Sequence, residues 1–499
     1  MSVVKKASEQ VPQTKIAILN SIESFKNPRP SIKKRIADGK ALRKKVSFEQ
    51  QGIYTPPQHR LDPIIILERQ AQSRIKELIP IRYERMLQSP FAFYRGGAAI
   101  MAQDLANQPT TNVTVQLCGD MHVSNFGLFA TTEHRLVFGI NDFDETLPGS
   151  WEYDIKRLVA SAVIACETLG GDEKISKLLV QRITSEYQKR MAEYAEMPYI
   201  QIAQQFIGEK DIRKHFSKSH QKKLDAFLKQ VKGETKIEVL QKLTTLVGKD
   251  RKIINQPPLI QHFSPLFKGR PVIDLVNNAL MNYSSTLLAD KKVLFERYSL
   301  KDFARKVVGV GSVGTNCMVI YFEGDGPNDP LFLQYKEAQH SVLTPYLGQS
   351  IYKNMGRRVV SGQRLLQGAP DIFLNYGDLE YEIGSRQGFY LRQLRDMKGG
   401  IVFGPEGVSL ENFPDYARLF GWALALGHAR SGDSAVISGY CGQSKKLDEA
   451  LYRFAKAYSK QNQADYELFC KAVKSGRLAV AKAEPKASNQ SKAKGSKSK

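Results

Sequence analysis

The run LCGDMHVSNFGLF, residues 117–129, sets Asp120, His122 and Asn125 among apolar neighbours, and the run RLVFGIND that follows ends on Asp142. Burying an unpartnered carboxylate is costly, so two acids and an amide beside apolar strands call for a shared partner. Mg²⁺ takes oxygen ligands of this kind and usually keeps substrate phosphates among them. Phosphoryl transfer uses the same residue types: a carboxylate that orients or deprotonates an attacking hydroxyl, and an Asn with an Asp that hold metal on a nucleotide. Asp, four residues, Asn, then a strand ending in Asp-Phe is the order of the kinase catalytic and metal loops. In this chain the order reads GDMHVSN and then NDFDE. Side chains that merely cap turns between strands would be the bland alternative, but two turns do not need so many acids and amides.

A second group is GVGSVG, with Gly309, Gly311 and Gly314, followed by Lys336. A dinucleotide-binding glycine loop leads into a helix, whereas here NCMVIYFEG reads as a strand, then a turn at GDGPNDP, then LFLQYKEA as a second strand carrying Lys336. A glycine loop between strands with a lysine downstream suits a flap over ATP phosphates whose charge the lysine pairs. A plain hairpin with tight glycine turns and an exposed lysine is the competing reading.

The elements that must position these groups follow an unusual order. Residues 61–107 carry apolar residues at helical spacing, with a Ser-Pro helix start at SPFAFYRGG. VTVQLCG and RLVFGIND alternate as strands. Helical periods dominate from Asp154 to about residue 300, with a charged stretch over 208–250 read as an exposed helical hairpin. A β-rich segment spans 301–400, and helices return over 401–479. The glycine loop therefore comes after the acidic loops, the reverse of the kinase order. A circular permutation reconciles them. The expected fold class is α+β, a protein-kinase-like two-lobed fold, circularly permuted so that the catalytic loop and large-lobe helices (61–300) precede the β-rich nucleotide-binding lobe (301–400). This scheme requires Lys336 and Asp142 to meet.

Composition narrows the setting. Of a net charge of +23, residues 1–50 hold +8 and the low-complexity tail 480–499 holds +5. Such basic ends, the extension 1–60 and the tail 480–499, fit solvated segments with weak polyanion contacts, and no aromatic-interleaved basic motif supports specific nucleic-acid recognition. No apolar run is long enough for a membrane span, and the N-terminus lacks a signal-peptide pattern, so the expected location is cytoplasmic. The five cysteines are odd in number and scattered without a CxxC pair, which fits reduced thiols rather than a disulfide framework or a zinc site.

Taken together, RMLQSPFAFYRGGAAIMAQDLA, QLCGDMHVSNFG, INDFDETLPGSWEYDIKRL, KVVGVGSVGT, RLLQGAPDIFL, LRQLRDMKG and LGHARSGD resemble the bacterial domain of unknown function 2252 family over roughly residues 40–475. The resemblance implies a kinase-like protein similar to aminoglycoside and choline phosphotransferases, using ATP and Mg²⁺. By motif, Asp120 resembles the catalytic Asp, Asn125 and Asp142 the metal-binding pair with Asp144 as a further ligand, Lys336 the phosphate-pairing Lys, and Gly309, Gly311 and Gly314 its loop. Three departures stand out: Asp144 occupies the place of a Gly, Gly119 that of an Arg, and the helix expected after Lys336 offers no obvious Glu, Gln363 being the nearest polar residue.

His122 and His428 read first as structural histidines that could also tune or approach Asp120. Arg95 reads equally as a phosphate or substrate contact and as a buried arginine paired with a carboxylate. The expected activity is a Mg²⁺/ATP-dependent phosphotransferase acting on a hydroxylated acceptor, a small molecule before a protein. The alternatives are a nucleotide-binding pseudokinase, a nucleotidyl transferase, and a metallophosphoesterase suggested by the Asp-Met-His spacing. The last needs further histidines for a two-metal centre, and no pair of them follows downstream.

Overall fold

A proline and a capping side chain open two of the first helices in the computed structural model, which describes residues 28–481 apart from 268, 383, 384, 395, 396, 405 and 406. Asp62 accepts the Ile64 N–H ahead of Pro63–Ala71, and Ser89 accepts the Ala92 N–H ahead of Pro90–Gly96. With Pro at N1 its missing N–H costs nothing, since the first amides of a helix lack partners anyway. Ile79–Leu87 and Ala98–Leu105 complete the helical reading of residues 61–107. The expected solvated extension over 1–60 is corrected for its described part: Ile32–Ala41 is a helix whose Arg35 pairs with Asp433 at 2.8 Å, and Gln51 is fully buried. The residues before 28 and the tail from 482, with the polyanion contacts expected of them, lie outside the described residues.

Both runs read as strands are strands, Thr114–Leu117 and Leu136–Ile140. Each pairs antiparallel with a partner the alternation did not signal, Leu147–Ser150 and Phe126–Ala130 respectively. FGLFA is buried at four successive positions, and a strand covered on both faces does not alternate. The stretch 208–250 departs from the expected helical hairpin. Glu209–His215, Gln221–Gly233 and Lys236–Leu243 are helices, but Thr244–Val247 and Asp250–Ile253 form a β-hairpin. Its turn contains Gly248 at φ +64°, a backbone that favours glycine in two-residue hairpins.

The β-rich segment is a six-stranded antiparallel sheet in the order Asn375–Glu382, Ser385–Gln393, Pro330–Glu337, Cys317–Glu323, Ser299–Lys306, Ile260–Gln261. Lys336 lies opposite Cys317 on one side and Tyr390 on the other. A helix, Met355–Gln367, intervenes before the last two strands; Asn354 caps its start and Gly368, at φ +72°, ends it. One apolar core, including Leu275, Ile320, Leu333 and Phe389, sits beneath this sheet. The largest core gathers Glu152–Thr168, Glu173–Glu196, Phe413–Ser431 and Lys445–Lys474 around the smaller strands. The molecule is thus mixed α and β, with antiparallel sheets, and no helix among the described residues is long and apolar enough to cross a membrane.

Candidate active site

Glu152–Thr168 is buried almost all round, yet its first two turns carry Glu152, Asp154, Lys156 and Arg157. Buried charges must find partners, and two of these are spent on the Asp120 loop. Asp154 accepts the Cys118 N–H at 2.7 Å and the Gly119 N–H at 3.0 Å. Behind it, His428 sits fully buried with Nε2 3.4 Å from Asp154 and Nδ1 2.9 Å from the Tyr187 hydroxyl. His428 therefore reaches the loop through Asp154. Arg157 donates from Nε at 2.9 Å and Nη2 at 2.5 Å to Asp120 Oδ1, and lies over the Tyr94 ring. Burial alone would lower the Arg157 pKa, but Asp120 outweighs it and raises the value above that of a free guanidinium. Gly119 explains itself: its φ is +83°, and a Cβ there would lie 2.3 Å from the Glu145 carbonyl oxygen.

Asn125 ties the two acidic loops together. Its Nδ2 donates to the carbonyls of Asp120 at 3.1 Å and Asp142 at 3.0 Å, while its Oδ1 accepts the Asp142 N–H at 2.8 Å. The Asp142 side chain is 43% exposed and 3.4 Å from Lys336 Nζ. Burial of the surroundings raises its pKa, but Lys336, Arg392 and Lys398 reverse this and hold the carboxyl below its ordinary range.

Lys336 is 2% exposed, and its closest carboxylate is Asp144, with which it forms an ion pair. Asp144 also accepts the Tyr390 hydroxyl at 2.5 Å and the hydroxyl of Ser312, in the glycine loop, at 3.1 Å. Burial opposes the lysine's charge, but Asp142 and Asp144 prevail, so the ammonium form is held well above its usual range. The loop itself, between Ser299–Lys306 and Cys317–Glu323, places Gly309 and Gly314 at φ +65° and +91°. Its carbonyls are held from outside: Gly309 by Arg85 at 2.5 Å, Val313 by Arg74, and Gly314 by the Ile75 N–H at 2.8 Å.

These groups surround a cleft of about 380 Å³ that Asp120, His122, Asn125, Asp142, Asp144, Gly309, Gly311 and Arg95 all line. His122 is buried edge-on to Phe91, with Nε2 3.8 Å from Asp120. Burial pushes its pKa down to about 3, Arg95 and Arg157 reinforcing this against Asp120, so the ring is neutral. Arg95 has no side-chain partner among the described residues and its Nε is buried without an acceptor, so the paired-carboxylate reading does not apply to it. Gln363 is not brought to Lys336: it donates to Gln367 at 2.8 Å. The same helix instead contributes Arg358, which donates to the carbonyls of Asp144, Thr146 and Gln339 at 2.6–2.8 Å and so holds the Asp144 loop by its backbone.

Among the described residues no group of three or more His, Cys, Asp or Glu side chains is disposed to hold a metal ion by itself. Mg²⁺ needs less, since it commonly takes one or two carboxylates and completes its shell with water and phosphate. Asp142, exposed and negatively charged, fits that role. Both oxygens of Asp144 already accept hydrogen bonds, and one lone pair of Asn125 Oδ1 is taken by the Asp142 amide, so each would contribute only by adjusting.

The residues that the sequence reading missed are Asp154, Arg157 and Tyr390. For the first two a signal exists, since charged residues recur within the otherwise apolar helix begun by WEYDIKRL. Tyr390 gave none, because one aromatic in a strand looks like core.

The sequence profile of a family described as "Uncharacterized protein conserved in bacteria (DUF2252)" matches residues 74–472. No curated protein and no solved structure matches the chain.

Proposed function

The chain belongs to the DUF2252 family, and from the geometry of its cleft we propose that it is a Mg²⁺- and ATP-dependent phosphotransferase with a kinase-like, two-lobed and circularly permuted fold. The observation that carries this reading is the meeting of Lys336 with Asp142 at 3.4 Å across 194 residues of chain, under a glycine loop whose Ser312 reaches Asp144. The chain order within the sheet supports it: a hairpin around the glycine loop, a strand bearing the lysine, a helix, then two further strands, as a kinase nucleotide-binding lobe requires. On this reading the nucleotide lobe is the six-stranded sheet, which extends past the expected 301–400 to take in Ile260–Gln261 and the helix bearing Leu275, and the helices of the largest core form the other lobe.

The roles follow from position. Asp120 Oδ1 is fixed by Arg157, which leaves Oδ2 to accept the proton of an acceptor hydroxyl, with neutral His122 beside it. Lys336 supplies a fixed positive charge for nucleotide phosphates, and Asp144 with Tyr390 holds it in place where kinases use a helix Glu. Asp142, with Asn125 and Asp144 as adjusting partners, would hold Mg²⁺, which neutralises charge on the phosphates when bound. The acceptor is a hydroxylated small molecule before a protein.

One observation favours a nucleotide-binding pseudokinase as the second reading: Arg157 makes two hydrogen bonds to Asp120 Oδ1 and so already engages the carboxylate that would take the acceptor's proton. Incubation with Mg²⁺-ATP separates the readings. Slow release of ADP that Asp120→Asn abolishes, with nucleotide binding unchanged, supports the phosphotransferase. Release of pyrophosphate instead would indicate nucleotidyl transfer, and no release by either protein the pseudokinase.

A further inference from the structure

Arg82 is 1% exposed, lines the cleft, and has Nε and Nη1 without any hydrogen-bond partner. Its Nη2 donates to the carbonyl of Gly96 at 2.9 Å and to Gln70 at 3.1 Å, both neutral. Arg74 is a second cation that bears on it, and burial pushes its pKa well down. A buried guanidinium with no carboxylate is a strongly unfavourable arrangement unless something else supplies the negative charge. Two more guanidinium groups of the same cleft are only partly compensated, Arg95 by Asp120 and Arg74 by Glu145, Asp144 and Glu337, none of them within ion-pair distance. Arg95 Nε and Arg74 Nε are buried and unpartnered, and neither side chain forms an ion pair among the described residues. Guanidinium groups match the paired oxygens of phosphates and carboxylates.

Position separates Arg82 and Arg95 from the lysine. Lys336 lies on the sheet, paired with Asp142 and Asp144. Arg82 and Arg95 come from Ile79–Leu87 and Pro90–Gly96, and Arg95 is one of two cations that act on His122 against Asp120. Gly311 of the glycine loop closes over this side, since a Cβ there would stand 3.7 Å from the Arg95 carbonyl. Arg95 therefore stands near the Asp120 carboxylate, and Arg82 lines the same cleft.

We propose that Arg82, Arg95 and Arg74 form an anion subsite for the acceptor, so that the hydroxyl compound phosphorylated here already carries a phosphate or carboxylate group. This rests on the phosphotransferase reading. In the step, the acceptor oxygen forms a bond to the γ-phosphorus of ATP as the bond to the β-phosphate oxygen breaks. ADP leaves with that electron pair, the hydroxyl proton passes to Asp120, and the existing anion of the acceptor stays on the guanidinium groups. Specificity then lies in a group that does not react, which fixes the hydroxyl at reacting distance.

The test is calorimetric titration of the full-length protein with inorganic phosphate and, separately, succinate, each with and without a saturating Mg²⁺-bound non-hydrolysable ATP analogue that fills the γ-phosphate position. At least one anion should bind at one per chain with the analogue present. Its affinity should fall at least tenfold in Arg95→Gln and in Arg82→Gln, while affinity for the analogue changes less than twofold. Arg95 is less deeply buried than Arg82 and decides the matter if Arg82→Gln folds poorly. Competition between anion and analogue would overturn the proposal by assigning the cluster to the nucleotide phosphates. Absence of anion binding, or binding that both variants retain, would overturn it as well. Anion binding in a protein that takes no nucleotide would fail the phosphotransferase reading and the acceptor assignment, while leaving the subsite itself.

Discussion

Asp154→Asn is a nearly isosteric change at a residue 1% exposed, and its cost follows from the hydrogen bonds. The carboxylate accepts two backbone N–H groups, of Cys118 and Gly119, one on each oxygen. Hydrogen bonds to a charged group contribute about 1.5–3 kcal/mol each. Asparagine keeps one oxygen, so one bond survives in weaker neutral form. Its NH₂ would face the other N–H, donor against donor, and that buried amide would cost about 1–3 kcal/mol unsatisfied. The combined loss is about 3 kcal/mol, and the loop carrying Asp120 must shift to relieve it. Urea unfolding of both proteins, with the same slope against denaturant, measures the difference directly. A variant within about 1 kcal/mol of the parent would refute the claim that Asp154 anchors the loop.

Two further predictions concern the same loop pair. Burial raises the Glu145 pKa from 4.5 to about 7, with Asp120 and Asp144 adding to it and the Val342 N–H and Arg358 opposing. The folded state thus holds a proton that the unfolded chain releases. Between those two values its contribution to stability falls as pH rises, by at most about 1.4 kcal/mol per pH unit, and denaturant midpoints across that window should lose this slope in Glu145→Gln. Gly119→Ala adds a Cβ 2.3 Å from a backbone oxygen at φ +83°; it should destabilise by about 2 kcal/mol or more and show a displaced Asp120 in a crystal structure, whereas a silent substitution would contradict the tight approach of the two loops.

What the sequence made legible was the chemistry carried by spacing. Asp120, Asn125, Asp142, Asp144 and Lys336 were singled out by type and order, and they line or border one cleft. What stayed hidden were partners without local periodicity. The helix after Lys336 offered no Glu to pair with it, Gln363 being the nearest polar residue, and the closest carboxylate, Asp144, comes from a loop 192 residues away, a pairing that chain order does not report. Arg157 and Asp154 sit in a helix whose burial all round could not be read from a stripe, because there is no exposed face to contrast with it. The strands Phe126–Ala130 and Leu147–Ser150 were missed for a related reason, as burial on both faces erases alternation. The hairpin at Gly248 was masked by its charged, exposed residues, which read as helix surface.

The central claim is that Lys336 and Asp142 form a nucleotide site, and thermal unfolding with ATP in the presence and absence of Mg²⁺ tests it most directly, because a ligand that binds only the folded state raises the melting temperature. The account predicts a Mg²⁺-dependent rise at millimolar ATP that Lys336→Ala and Asp142→Ala each remove, and that Asp120→Asn keeps. No rise with any nucleotide, or a rise that both of the first two variants retain, would contradict it.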